Sequence, residues 1–194
     1  MSDVAWPRVQ LTPLTNADLK TVNRWQNDPF IRDQIMGFRG PVRLETTEEW
    51  IRNLAAQNLK TRVVFGIRLD ASLKGVAQLH GIDWIQRSAV LGVFVGDAED
   101  RGLGLGRAAV TLILDYGFKG LDLQRVTLEV LASNAPARRL YERLGFVQEG
   151  LMREAFLRDG AREDVALYGL LQREFEVPPL DQAHRLVSSA AQQG

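Results

Sequence analysis

The segment from Leu91 to Ala109, LGVFVGDAEDRGLGLGRAA, constrains this chain more than any other. A run rich in Val, Phe and Leu reads as a strand. A short acidic link follows, and Arg101-Gly102-Leu103-Gly104-Leu105-Gly106 opens directly into residues with helical periodicity. Glycines on alternate positions at the mouth of a helix let the backbone curl so that successive N–H groups point at one spot. Glycine tolerates positive φ and leaves no Cβ in a ligand's way. The helix contributes its unsatisfied N-terminal donors and the positive end of its dipole. Such an assembly binds a phosphate or pyrophosphate. The plain alternative is a glycine-rich turn that binds nothing. Gly104-Leu105-Gly106-Arg107-Ala108-Ala109 also fits the dinucleotide pattern GxGxxA. That pattern wants its glycines in the strand–helix turn itself, whereas here the strand ends near Gly96, well before them.

A second signature lies downstream. Residues 126–147 read VTLEVLASNAPARRLYERLGFV: a strand, a break, a short helix, then Leu144-Gly145-Phe146. Together with Arg101-x-x-Gly104-x-Gly106, this block resembles the GNAT superfamily of acyl-CoA-dependent N-acetyltransferases. The first motif matches that family's acyl-CoA pyrophosphate signature, (Gln/Arg)-x-x-Gly-x-(Gly/Ala), and the second its strand–Asn–helix–Tyr–Gly-Phe block. Glu149-Gly150-Leu151-Met152-Arg153, with Gly160, Asp164 and Tyr168, resembles the branch of ribosomal-protein alanine N-acetyltransferases and their small-amine relatives. The resemblance runs from about Val9 to Leu171 and is specific between Leu91 and Tyr168.

At 194 residues and 45% hydrophobic, the chain is expected to form one domain with a full core, over residues 8–172, followed by a frayed C-terminal extension over 173–194. Lys+Arg and Asp+Glu are each 24, so no basic patch is implied and nucleic acid is not an expected partner. The absence of cysteine removes disulfides, thiolate metal sites and a cysteine nucleophile, and favours a cytoplasmic protein. No apolar run approaches the roughly 20 residues needed to span a bilayer. Residues Met1 to Pro7 lack the basic and apolar regions of a signal peptide, so no membrane association is expected. His80 and His184 are too few and too far apart for a metal site, and none is expected.

Arg8 to Pro13 alternates as a strand, and Thr15-Asn16-Ala17-Asp18 has the form of a capping sequence for a helix reaching Trp25. Asp28-Pro29 breaks it, and a short helix follows to near Gln34. Met36 to Arg43, with Gly37, Gly40 and Pro41, reads as a loop. Thr46-Thr47-Glu48-Glu49 is a full capping box for the helix carrying Trp50, Ile51 and Leu54. Arg62–Leu69 and Leu73–Ile82 form a hairpin across Asp70-Ala71-Ser72, and Ala89–Val95 is the strand that feeds the glycine loop. Leu105–Phe118 is a helix with Val110, Ile113, Leu114 and Phe118 as its buried stripe, stopped by Gly120. A strand at Arg125–Leu131, a helix at Ala135–Leu144 and strands at Phe146–Glu154 and Asp164–Leu171 complete the chain, with a turn at Arg158-Asp159-Gly160. The order β-α-α-β-β-β-α-β-α-β-β is α+β, a mixed and largely antiparallel sheet flanked by helices, in agreement with the GNAT fold.

The resemblance implies direct acetyl transfer from acetyl-CoA to a primary amine in a ternary complex. The acceptor is a small-molecule amine or a protein N-terminus, and a homodimer is plausible. Three demands follow: the amine must lose a proton, the thioester oxygen needs fixed donors, and the departing thiolate needs a proton. Strand alternation puts Val126, Leu128 and Val130 on one face and Thr127 with Glu129 on the other. Glu129 is thus the candidate base, standing where the family's alanine N-acetyltransferases carry theirs, or else a salt-bridged strand residue partnered by Arg125 or by an arginine across the strand. Asp83 and Glu99 are fallbacks. By the same resemblance, Tyr141 lies near the CoA sulfur as general acid and Asn134 bonds the pantetheine arm; the bland readings are a packed aromatic and a helix N-cap. The backbone of Val93, Phe94 and Val95 would pair with the pantetheine as an added strand does. Arg101, Gly102, Leu103, Gly104, Leu105, Gly106 and Arg107 would surround the pyrophosphate. Two rival classes remain, a catalytically inactive acyl-CoA sensor or assembly protein and a dinucleotide-dependent oxidoreductase.

Overall fold

The computed structural model describes residues 7–36, 40–158, 160–176 and 185–186. The sequence readings on Met1 to Trp6, Gly37, Asp159 and the rest of the C-terminal extension lie outside those residues. The elements run β1 (Val9–Thr12), α1 (Leu19–Gln26), α2 (Pro29–Ile35), α3 (Leu44–Gln57), β2 (Arg62–Leu69), β3 (Ser72–Asp83), β4 (Ser88–Val95), α4 (Leu105–Asp115), β5 (Arg125–Leu131), α5 (Ala135–Arg143), β6 (Val147–Arg158), β7 (Ala161–Leu171) and the two-residue β8 (Arg185–Leu186). They form one sheet in the order β6-β7-β5-β4-β3-β2-β1-β8. Every pairing is antiparallel except β4 with β5 and β1 with β8. The expected α+β architecture is present, with the short second helix as an element of its own and β8 added beside β1.

Local chemistry explains several of these boundaries. The Asp18 carboxylate accepts from the Thr15 N–H at 2.8 Å, as the capping sequence requires, and also meets Arg68 on β2 at 2.8 Å. Asp70 and Ala71 join β2 to β3 with φ of 48° and 67°, the left-handed pair that a tight hairpin of this twist needs. The capping box expected at Thr46–Glu49 is not used. α3 starts earlier, at Leu44, with Arg43 at its N-cap. Buried Thr47 donates its hydroxyl to Gln26 Oε1 at 2.5 Å and accepts from Asn23 Nδ2 at 2.8 Å, so this threonine belongs to the α1–α3 contact.

The two faces of the sheet are covered by different helices. α4 packs on β1, β3 and β4, and the expected stripe of Val110, Ile113, Leu114 and Phe118 is buried in one cluster with Tyr141, Leu144 and Phe146. Each such side chain contributes about 1.5–3 kcal/mol by leaving water. α4 widens into a π turn at Tyr116–Gly120 before β5. On the other face Leu14, Val22 and Val76 pack with Trp50, Leu54 and Phe94. Phe175, beyond β7, places its ring 5.3 Å from that of Phe118.

Candidate active site

The central parallel pair comes apart. β4 and β5 are in register only at Ser88, Ala89 and Val90 against Arg125, Val126 and Thr127. Beyond Val90, β4 continues through Leu91–Val95 paired with β3 on one side only, while β5 continues paired with β7. The result is a wedge-shaped gap in the middle of the sheet, and backbone groups of Leu91–Val95 face it. Val93 and Val95 pack into the core on the α4 side and Phe94 into the cluster on the other. Of these three candidates, then, the backbone is what remains available to a ligand, as a paired strand would use it.

The glycine loop closes the far end of the gap. The Gly96 N–H still donates to Lys74 O at 2.8 Å, and the chain then turns away. Asp97 accepts from Arg24 and, at 3.0 Å, from Trp25 Nε1; the Arg24 guanidinium holds its carboxyl below the usual carboxylate range. Buried Asp100 pairs with Lys74 at 3.0 Å. These contacts nail the loop's first half to β3 and α1. Gly102 and Gly104 have φ of 79° and 82°, and a Cβ at Gly102 would meet nothing within 4 Å. Gly106 has no positive φ; it lies inside α4, where a Cβ would come no nearer than 3.8 Å to any neighbour. Its role is therefore space at the helix mouth and not the curl. Gly104 is the N-cap, and the first helical bond runs from Ala108 N–H to Gly104 O at 3.0 Å. The N–H groups of Leu105 and Gly106 precede that bond, as anion-binding helix termini require. Leu103 is exposed; Leu105 sends its side chain into the core, so only its N–H faces the loop. Arg107 is exposed in the first turn of α4.

Arg101 points inward. Its Nη2 donates to Gly96 O at 2.5 Å, and the guanidinium lies 4.0 Å over the Phe30 ring on α2. Asn134 is the N-cap of α5, accepting from Ala137 N–H at 3.1 Å, and its Nδ2 donates to Gln34 Oε1 at 2.7 Å. Two cofactor-motif residues thus hold both ends of α2, which packs against β4 and β5 across the gap. Neither Phe30 nor Gln34 stands out in the sequence, because only the fold carries α2 over the gap.

Tyr141 lies two turns along α5 from Asn134. It is buried, with ring neighbours Phe146 and Tyr168 at 5.8 and 6.5 Å, and burial pushes its hydroxyl up to about 12. Tyr168 is anchored differently: it donates to Glu142 at 2.8 Å and accepts from Arg138 at 3.0 Å. Glu129 is exposed on the face opposite Val126, Leu128 and Val130, as alternation requires. Of its suggested salt-bridge partners, Arg125 is engaged elsewhere, pairing with Glu149 on β6. Of the fallback groups, Asp83 accepts from the Ile85 and Gln86 N–H groups at 2.9 and 2.8 Å and so shapes the β3–β4 turn, while Glu99 sits exposed in the loop. Among the described residues no three His, Cys, Asp or Glu side chains come together as a metal site, and no helix is long and apolar enough to cross a membrane.

A family model described as an acetyltransferase (GNAT) domain matches residues 8–147, which contain the gap, the glycine loop and the α5 block. The chain belongs to the GNAT acetyltransferase family. This GNAT protein is 36% identical over 169 residues to a spermidine N(1)-acetyltransferase of Vibrio cholerae, covering 87% of this chain and 95% of that one. It is 34% identical over 128 residues to a putative ribosomal N-acetyltransferase of Bacillus subtilis, covering 66% and 68%. The crystal structure of spermidine N-acetyltransferase from Vibrio cholerae in complex with CoA and spermine superposes with a TM-score of 0.79 at 29% identity, covering 86% of this chain and 97% of that one. The GNAT enzyme is thus an acyl-CoA-dependent acetyltransferase, with acetyl-CoA as cosubstrate and an amine as acceptor.

Proposed function

We propose that this GNAT enzyme acetylates a small-molecule primary amine, with the pantetheine arm of acetyl-CoA in the β4–β5 gap and the pyrophosphate on the glycine loop. The observation that carries the reading is the gap itself, an unpaired stretch of β4 backbone leading to a helix N-terminus that Gly102, Gly104 and Gly106 leave open. A preformed site of this kind loses little on ordering, because its strand, loop and helix are already fixed. Gly102, Gly104 and the N–H groups of Leu105 and Gly106 would cradle the pyrophosphate, with Arg107 reaching it and Leu103 flanking it. Arg101 joins this cradle, held at the loop by Gly96 O and the Phe30 ring. Asn134 has a second amide hydrogen for the pantetheine arm beyond the one given to Gln34.

Tyr141 is protonated at neutral pH and is the proton donor for the departing thiolate. Glu129, exposed on β5, is the carboxylate that draws in the ammonium. Spermidine leads the acceptor panel because of the Vibrio cholerae relatives, and peptides with N-terminal alanine follow because of the putative ribosomal relative. Val147, Leu151 and Leu157 on β6 leave an apolar sheet edge exposed, which a second copy of the chain would cover in a homodimer. The test is release of free CoA thiol from acetyl-CoA in the presence of each amine, an assay kept clean by the absence of cysteine. Acceptor-dependent release that falls in Tyr141→Phe supports the reading. Tight acetyl-CoA binding without release for any amine would replace it with the sensor reading.

A further inference from the structure

The strand register assembles a row of polar groups beside the gap, and in it the geometry points to His80 as the group that takes the proton from the acceptor amine. This inference rests on the acetyl transfer proposed above. Arg62 on β2 lies opposite His80 on β3, His80 opposite Val90 on β4, and Val90 opposite Thr127 on β5, with Glu129 two residues further on. Directly opposed residues present their side chains on one face. Arg62, His80, Val90, Thr127 and Glu129 therefore share the face that α1 and α3 cover elsewhere, and Val90 and Thr127 are the last paired residues before the gap opens. The register of β3 against β4 slips immediately after His80, where Gly81 takes a φ of 59°. A bulge with a left-handed glycine re-aims the side chains at its edge, and such bulges concentrate at active sites.

Arg62 and Glu129 are the charged groups that act on the imidazole. Burial first, and then the Arg62 guanidinium, lower the His80 pKa, while Glu129 opposes them. Arg62 Nε is itself buried without a hydrogen-bond partner. His80 is thus neutral at pH 7, with Glu129 in the same row to stabilise the imidazolium that forms. A carboxylate is a much weaker base towards an ammonium than an imidazole. In the step, His80 takes one proton from the ammonium, and the neutral nitrogen attacks the thioester carbonyl. The C–N bond forms, the C–S bond breaks, and the Tyr141 hydroxyl protonates the thiolate. The proton remaining on the new amide nitrogen returns through solvent to the tyrosinate, and the imidazolium releases its proton to water.

The test measures kcat against pH from about 5 to 9 at saturating acetyl-CoA and amine, for the wild type, His80→Gln and His80→Ala, with acetyl-CoA affinity and melting temperature recorded for each. Loss of a general base costs about 100-fold or more. The wild type should therefore show an acid limb below pH 6.5, and His80→Gln should lose about that factor in kcat together with the limb, at unchanged acetyl-CoA affinity. Added imidazole should restore turnover to His80→Ala, which a merely structural role for the side chain would not allow. Variants within about threefold of wild type, or a loss with an unchanged limb and no imidazole rescue, overturn the assignment to His80 alone. A wild type that releases no CoA with any amine overturns the acetyl-transfer reading along with it.

Discussion

Replacing Tyr141 by Phe separates the chemistry of one buried hydroxyl from the packing of its ring. The ring is retained, so contacts with Phe146 and Tyr168 persist and stability at pH 8 should change by about 1 kcal/mol or less. Burial, which disfavours the phenolate, pushes the hydroxyl up to about 12 in the folded protein from 10.0 for the free group. A raised pKa of this kind contributes stability that is complete below pH 10 and is lost as pH climbs through 12. The loss relative to the Phe variant is about 1.4 kcal/mol by pH 11 and tends towards about 2.7 kcal/mol above pH 12. Denaturant melts of both proteins at pH 8, 9, 10 and 11 measure the difference directly, and Tyr116, also raised by burial, cancels because both proteins carry it. The same variant should lose about 10²–10⁴ in kcat with acetyl-CoA affinity nearly unchanged, since only the departing thiolate uses the proton. A stability difference that stays flat from pH 8 to 11 would refute the buried hydroxyl. A kcat within a few-fold of wild type would refute the acid.

Gly96→Ala should cost about 3 kcal/mol and lower the melting temperature sharply, because its Cβ would overlap the fully buried Trp25 ring. Gly104→Ala forces a φ of 82° on a residue with a Cβ, at about 1–2 kcal/mol; calorimetry should show acetyl-CoA affinity falling about tenfold with the sheet intact. Asp97→Asn weakens the tie to Arg24, which is mostly exposed, so at pH 7 the loss should be about 1 kcal/mol. Since the Asp97 pKa is depressed, that contribution exists above 3.8 and fades as pH falls through the folded value, so variant and wild type should converge in acid melts.

Local signals proved readable where a residue's neighbours in sequence decide its conformation. Thr15–Asp18 and the glycines at 102 and 104 behave as their residue types dictate, whereas Ala71 is held at a left-handed φ of 67° by the tight hairpin rather than by its own preference. Thr46–Glu49 misleads because Thr47 finds stronger partners in Gln26 and Asn23, on a helix some twenty residues earlier in the chain. Arg125 chooses Glu149 on another strand over Glu129 nearby on its own, a pairing that depends on sheet order. His80 reads as an unremarkable strand residue until the register sets it between Arg62 and Val90. The sequence motifs mark the cosubstrate side of the site, since a phosphate cradle is built from contiguous backbone. The row of Arg62, His80, Val90 and Glu129 is assembled from four strands, and nothing in a linear spacing announces it.

The parting of β4 from β5 has a consequence for how this fold survives in a crowded solution. A strand with unpaired backbone groups normally lies at the rim of a sheet, where any other extended chain can add to it and start aggregation. Here a rim has been moved to the middle of the molecule and roofed by α2. A polypeptide adding there as a strand would have to fit its side chains between the sheet and α2. The unpaired backbone is thereby shielded from the edge-to-edge pairing that an exposed rim invites.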